Sequence, residues 1–156
     1  MGRYPIHACT HCETAVAYNE IEYTQQKDIS VYVKFKMKPR QKIGKKASGN
    51  NTYILSWTTT PWTLPGNVAL AVGETIAYIE IEKNGERLIY AKNSPLAETF
   101  GRVGREIRGR DLLGLRYEPL FIIKEFQNDH KAYRVYHADF VATDEGTGVV
   151  HTAVMY

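Results

Sequence analysis

Thr58, Thr59, Thr60 and Thr63 put four hydroxyls between Trp57 and Asn67. A threonine hydroxyl both donates and accepts hydrogen bonds, and the Asn67 carboxamide adds a paired donor and acceptor. Such a group can bind a small polar moiety and hold a water molecule for attack. Trp57 and Trp62 supply aromatic walls, while Pro61, Pro65 and Gly66 stiffen the connection. A second stretch, Gly146-Thr147-Gly148-Val149-Val150-His151, is a tight turn feeding an apolar strand that ends on an aimed imidazole. Residue type alone leaves a plainer reading open: threonine follows strand propensity, and a histidine there can be a buried core residue.

Other chemistries lack their residues. There is no Gly-x-Ser-x-Gly elbow for a serine nucleophile and no phosphate-binding glycine loop; Gly101-Arg102-Val103-Gly104 follows a helical pattern rather than opening one. Cys9 and Cys12, in Cys-Thr-His-Cys, are half of a zinc ribbon, and a structural zinc takes four nitrogen or sulfur ligands. His11 lies between the thiols and is poorly placed to join them, so the other ligands are expected from outside this chain.

Composition bounds the setting. At 156 residues, 44% hydrophobic and 24% charged, the chain reads as one ordinary globular unit with a real core. Its net charge of +3 permits a polyanionic partner without demanding one. No apolar run follows Met1-Gly2-Arg3-Tyr4-Pro5, and none reaches the ~18 residues of a membrane span. A reduced, cytoplasmic location is expected, with no membrane partner.

The elements that must position these groups are short strands. Ile29, Val31, Val33, Phe35 and Met37 alternate with Ser30, Tyr32, Lys34, Lys36 and Lys38, which predicts a half-buried strand over residues 28–38 with a lysine-rich outer face. The basic run continues through Arg40, Lys42, Lys45 and Lys46 into a predicted mobile loop at 47–51. That run offers a nucleic-acid contact or, more simply, a solvated face guarding a sheet edge. Asn84-Gly85 joins alternating segments at 78–83 and 86–91, a strong hairpin signal. Ser94-Pro95 opens a short helix with Leu96, Phe100 and Val103 on its apolar face, ended by Gly101 or Gly104. A single turn is expected at 111–114, and strands at 120–123, 133–136 and 149–151. Seven or eight short strands with few helices predict an α+β, β-rich, closed or nearly closed sheet. Residues 1–27 read as a leading segment carrying the half-ribbon, and 28–156 as the core.

Ser56-Trp57-Thr58-Thr59-Thr60-Pro61-Trp62-Thr63-Leu64-Pro65-Gly66-Asn67 resembles the threonine-rich region of the editing (CP1) domain of isoleucyl-tRNA synthetases. Gly146-Thr147-Gly148-Val149-Val150-His151-Thr152-Ala153 resembles its second editing motif. Cys9-Thr10-His11-Cys12 resembles the zinc-binding approach to the insertion, and Gly109-Arg110-Asp111-Leu112-Leu113-Gly114-Leu115-Arg116-Tyr117-Glu118-Pro119-Leu120 a further stretch. The matches are in family order. Valyl and leucyl relatives read Thr-Thr-Arg-Pro followed by an acidic residue, where this chain has Thr60 and Trp62, so the isoleucyl type is favoured.

The resemblance implies a barrel-like core with peripheral helices that hydrolyses the ester of valine misplaced on isoleucine tRNA, and also valyl-adenylate. It implies that Thr58, Thr59 and Thr60 contact the terminal adenosine and place the water, with Asn67 in the same polar shell. Thr63 and His151 would shape the amino-acid pocket, with Trp57 and Trp62 as walls. The implied partners are the 3′ end of valine-charged tRNA and the remainder of a monomeric synthetase. No cofactor serves editing; zinc would sit at Cys9 and Cys12, and ATP and Mg would serve only a catalytic core that is absent here. Two departures are expected to weaken the fragment: Val154 replaces a proline, and the aspartate nine residues beyond the histidine lies past Tyr156.

Overall fold

The alternating segment after residue 30 forms β1 (Val31–Lys36), with Phe35 and, just beyond it, Met37 fully buried and Tyr32 outward. The structure, a computed structural model, describes residues 6–25, 27, 29–101, 103–126 and 129–153. Expectations resting on residues 1–5, Asp28, Arg102, Val154 and Tyr156 lie outside the described residues. Ile29 is exposed, because β1 begins two residues later than the alternation suggests.

A short hairpin follows, β2 (Lys42–Ile43) and β3 (Lys46–Ala47). The loop expected at 47–51 falls at residues 48–51, with Ala47 drawn into β3. Ile43 is fully buried in the core, and the Ser48 hydroxyl donates to Lys38 O at 2.9 Å while accepting from Gln41 N. The basic segment is therefore tied down by an apolar anchor and side-chain bonds to the backbone.

β4 (Thr52–Thr58) pairs antiparallel with β1, and β5 (Asn67–Val72) follows it after a 3-10 helix, Pro61–Gly66. β6 (Ala77–Lys83) and β7 (Glu86–Ala91) form the expected hairpin, with Asn84 and Gly85 both at positive φ (54° and 76°) as a type I′ turn requires. The helix α1 (Leu96–Phe100) ends at Gly101, φ 110°. Leu96 and Ala97 bury its inner face; Val103, expected there, is exposed, and the Ser94 hydroxyl makes no cap bond.

β8 (Arg105–Arg108), β9 (Arg134–His137) and β10 (Val149–Ala153) complete the sheets, with a 3-10 helix, Gly109–Leu112, after β8 at the expected single turn. The strand expected at 120–123 is absent: Phe121 and Ile122 are exposed, and a short 3-10 helix, Lys124–Phe126, follows.

Five strands run in the order β1-β4-β7-β6-β8 and three in the order β10-β5-β9. The pairs β4–β7 and β5–β9 are parallel, the others in these sheets antiparallel. One core cluster fills the space between the sheets, with Phe35, Ile54, Leu70, Tyr78, Ile89, Tyr117 and Val135 among its buried members. A second lies under α1, with Leu55, Ile79, Tyr90 and Leu96. The sheets meet where β4 packs on β10: Ser56 Oγ donates to Val149 O at 2.8 Å. Residues 6–25 carry one isolated bridge, Ala8 with Ala15, and contribute no buried residue. No helix among the described residues is long and apolar enough to cross a membrane.

Candidate functional site

β4 stops at Thr58 because its hydroxyl competes for the backbone. Thr58 Oγ1 accepts from Thr60 N at 3.0 Å, a local turn that ends the ladder, and lies 3.2 Å from Thr60 Oγ1. Pro61 then opens the 3-10 helix with φ preset, and Thr63 N and Oγ1 both donate to Thr60 O, at 3.0 and 2.7 Å. Asn67 N caps the helix on Leu64 O and starts β5. The result is a polar ledge at the end of β4: Thr58 is buried, Thr59 and Thr60 are exposed, and Thr63 is half-buried.

β10 brings His151 to this ledge. His151 Nε2 lies 3.2 Å from Thr63 Oγ1, between residues 88 apart in sequence. The Thr63 hydroxyl proton is already committed to Thr60 O, so Thr63 Oγ1 can only accept from the ring. Nε2 therefore carries the imidazole proton, and Nδ1 is a bare acceptor. Nδ1 is buried and has no partner among the described residues. A second proton there would have no acceptor, and burial accordingly lowers the His151 pKa. Burial therefore favours the neutral form of the ring.

Trp57 is half-buried against the turn that feeds β10: Gly146 has φ +68°, and a Cβ there would lie 2.9 Å from the indole. Trp62 is 68% exposed on the 3-10 helix. Asn67 is the least accessible of the expected residues, 4% exposed, with every polar atom engaged. Its Nδ2 donates to Ala69 O at 3.0 Å and Thr152 O at 3.4 Å, and its Oδ1 accepts from Tyr117 at 2.7 Å. The structure thus gathers Thr58, Thr60, Thr63 and His151 into one hydrogen-bonded ledge, while the Asn67 side chain bonds instead to Ala69, Thr152 and Tyr117. Tyr117 and Thr152 join the network without having been singled out; Tyr117 stands 50 residues from Asn67, and no local pattern announces the bond.

The Cys9 and Cys12 turn lies apart from this ledge in residues 6–25. Cys9 N donates to Thr14 O and Glu13 N to Cys9 O, both at 2.9 Å. The backbone N–H of Cys12, then its thiol and the N–H of His11, favour a thiolate at Cys9 and lower its pKa. That suits a metal thiolate. Among the described residues, however, no three His, Cys, Asp or Glu side chains converge, so the donors fit half of a zinc site.

No family model matches the sequence. The fold is that of a synthetase editing (CP1) domain. It overlays the P. knowlesi cytosolic leucyl-tRNA synthetase editing domain with a TM-score of 0.51, covering 64% of this chain and 45% of that one at 16% identity. It overlays the crystal structure of GlLeuRS-CP1 with a TM-score of 0.53, covering 65% and 38% at 24% identity. Sequence is more specific. The chain is 44% identical over 152 residues to the isoleucine–tRNA ligase of Clostridium novyi, covering 95% of this chain and 14% of that protein. Against the isoleucine–tRNA ligase of Aquifex pyrophilus it is 37% identical over 165 residues, covering 97% and 30%. The chain is thus similar in sequence to part of isoleucine–tRNA ligases, in fold to CP1 domains, and spans a small part of these relatives' length.

Proposed function

We propose that this chain hydrolyses the ester of valine mischarged onto isoleucine tRNA, and of valyl-adenylate, as the proofreading part of a longer ligase that joins isoleucine to tRNA with ATP and Mg. The observation that carries this reading is the Thr63–His151 contact, which joins the two motifs at one ledge. The physical need is a limit on binding. One methylene is worth only ~1–3 kcal/mol, and the isoleucine–valine pair is the standard illustration. A synthetic pocket that fits isoleucine admits valine, so a second pocket must exclude isoleucine by size and hydrolyse what enters.

In this reading Thr58, Thr59 and Thr60 bind the terminal adenosine and hold water against the ester carbonyl, with a ribose hydroxyl of the substrate taking part. No protein nucleophile is required; positioning and hydrogen-bond donors at the developing oxyanion supply the catalysis. The sealed Nδ1 and protonated Nε2 of His151 argue against a general base and for a steric wall. Asn67 acts from beneath, and Trp57 closes the side toward residue 146. Cys9 and Cys12 supply two thiolates of a structural zinc site completed elsewhere in the longer protein. The lysine-rich face gives no separate support to RNA binding, because Lys34 pairs with Glu86 and Lys36 with Glu118.

The test places this sequence as the CP1 region of a full-length isoleucine–tRNA ligase. Valyl-tRNA should be cleared in preference to isoleucyl-tRNA, and His151→Ala should erode that preference by roughly 10-fold or more, the scale of one methylene. No valyl-tRNA clearance, or an unchanged preference in His151→Ala, overturns the reading.

A further inference from the structure

The β5–β10 ladder is irregular just beyond Thr152, the neighbour of His151. Thr152 pairs with Ala69 and Ala153 with Asn67, so the ladder slips by a bulge whose extra residue is Val68 of β5. A bulge leaves backbone groups unpaired and re-aims the strand. His151 thus sits in register with Leu70, two residues before the slip, and among the described residues its ring is held through Thr63.

The Asn67 carboxamide spans this irregularity. Its Nδ2 contacts two carbonyls, Ala69 O and Thr152 O, which can only accept. The amide orientation is therefore determined: nitrogen toward the bulge, oxygen toward Tyr117. The Tyr117 hydroxyl must then donate. Tyr117 is fully buried, with its ring edge-on to Phe35 (centroids 5.3 Å apart) and to Tyr133 (6.0 Å). Burial raises its pKa above the ordinary range, so it keeps that proton.

We propose that Tyr117 is a positioning residue for editing specificity: its hydroxyl locks the Asn67 carboxamide, and that amide sets the backbone at Thr152 that aims the His151 wall. The proposal rests on the editing reading above. It assigns a function to a core tyrosine that touches no substrate, and it makes Asn67 part of the sieve's mounting rather than of its rim.

Tyr117→Phe keeps the ring and removes the lock, leaving Asn67 Oδ1 a buried acceptor without a donor. In the full-length ligase carrying this chain, the ratio of valyl- to isoleucyl-tRNA hydrolysis should fall by roughly 5- to 30-fold, the equivalent of one unsatisfied buried group. Asn67→Asp, which keeps the acceptor but turns an oxygen on both carbonyls, should lower the same ratio. Ile79→Val, in the core cluster under α1, should leave the ratio unchanged. In the wild-type protein, the Tyr117 hydroxyl proton should exchange slowly with water by NMR. That measurement needs no variant to fold, and a fast-exchanging proton overturns the lock. A wild type that clears neither ester refutes the editing reading. A wild type that clears valyl-tRNA, with an unchanged ratio in folded Tyr117→Phe, refutes this assignment alone.

Discussion

At the head of β10, Tyr78 accepts from Gly73 N at 3.1 Å and donates to Gly148 O at 2.6 Å; at its tail, Tyr117 reaches Thr152 only through Asn67. Both tyrosines are fully buried, and burial pushes the Tyr78 hydroxyl up to about 12. Their surroundings differ. The head is packed backbone to backbone: Gly148 sits at φ +67°, and a Cβ there would lie 2.4 Å from Ala91 Cβ. The tail has a bulge, and an amide held by side-chain hydrogen bonds bridges it. A direct tyrosine bridge within dense packing holds the sheets together, whereas an indirect one beside a bulge sets the aim of a single ring. The same residue type thus serves stability at one end and selectivity at the other.

The sharpest way to break this contrast is at the head. Gly148→Ala adds a left-handed backbone cost and an overlap with Ala91, and should lose about 3 kcal/mol of stability. Denaturant unfolding measures that loss; both ester hydrolyses should fall together, in proportion to folded protein. Tyr78→Phe comes next. It leaves Gly73 N–H and Gly148 C=O without a partner and should cost about 2 kcal/mol. Its melting temperature should drop while its valyl-to-isoleucyl ratio holds, the reverse of Tyr117→Phe. A shifted ratio in Tyr78→Phe would merge the two ends into one structural effect.

The smallest expected effect is set by pH. Burial lowers the native pKa of His151 below the ordinary value of 6.5. Above about pH 6.5 the ring is neutral in both native and unfolded chains, and the stability that depends on neutrality is fully present. As pH falls below that value the unfolded chain takes up the proton first, so stability declines until the native ring titrates. Relative to His151→Gln, the wild type should therefore lose stability between about pH 6.5 and the lowered native pKa. Unfolding curves across that range measure it. Tyr78→Phe should keep this pH dependence, and Tyr117→Phe should weaken it by loosening the ring's enclosure.

Local rules recovered the elements whose causes are local. Asn84-Gly85 demanded its turn, Ser94-Pro95 and Gly101 bracketed α1, and the Phe35–Met37 alternation marked a core strand. They failed where distant residues decide. Nothing near Ile43 in the sequence shows that it plugs the core, nor that Gln41 bonds Arg116, 75 residues away. Residues 120–123 are apolar enough for a strand, yet they find no sheet edge and stay irregular. In the ledge, the threonine types and spacing and the aimed His151 were visible, and the family resemblance joined them. Tyr117 was not visible as a site residue, because its bond to Asn67 crosses 50 residues and its ring looks like ordinary core.

The ledge depends on the β5–β10 pairing, whose partners are far apart in sequence, as at Leu70 and His151. A ribosome adding residues in order completes the threonines long before it supplies the histidine. Contacts of such separation form late, after the entropy of closing a long loop has been met. A nascent or partly folded chain can thus bury much of its core while still lacking a sieve. The Thr63–His151 contact exists only once residues 149–153 have docked, so a slow step in that docking would leave the chain folded in outline with its ledge incomplete.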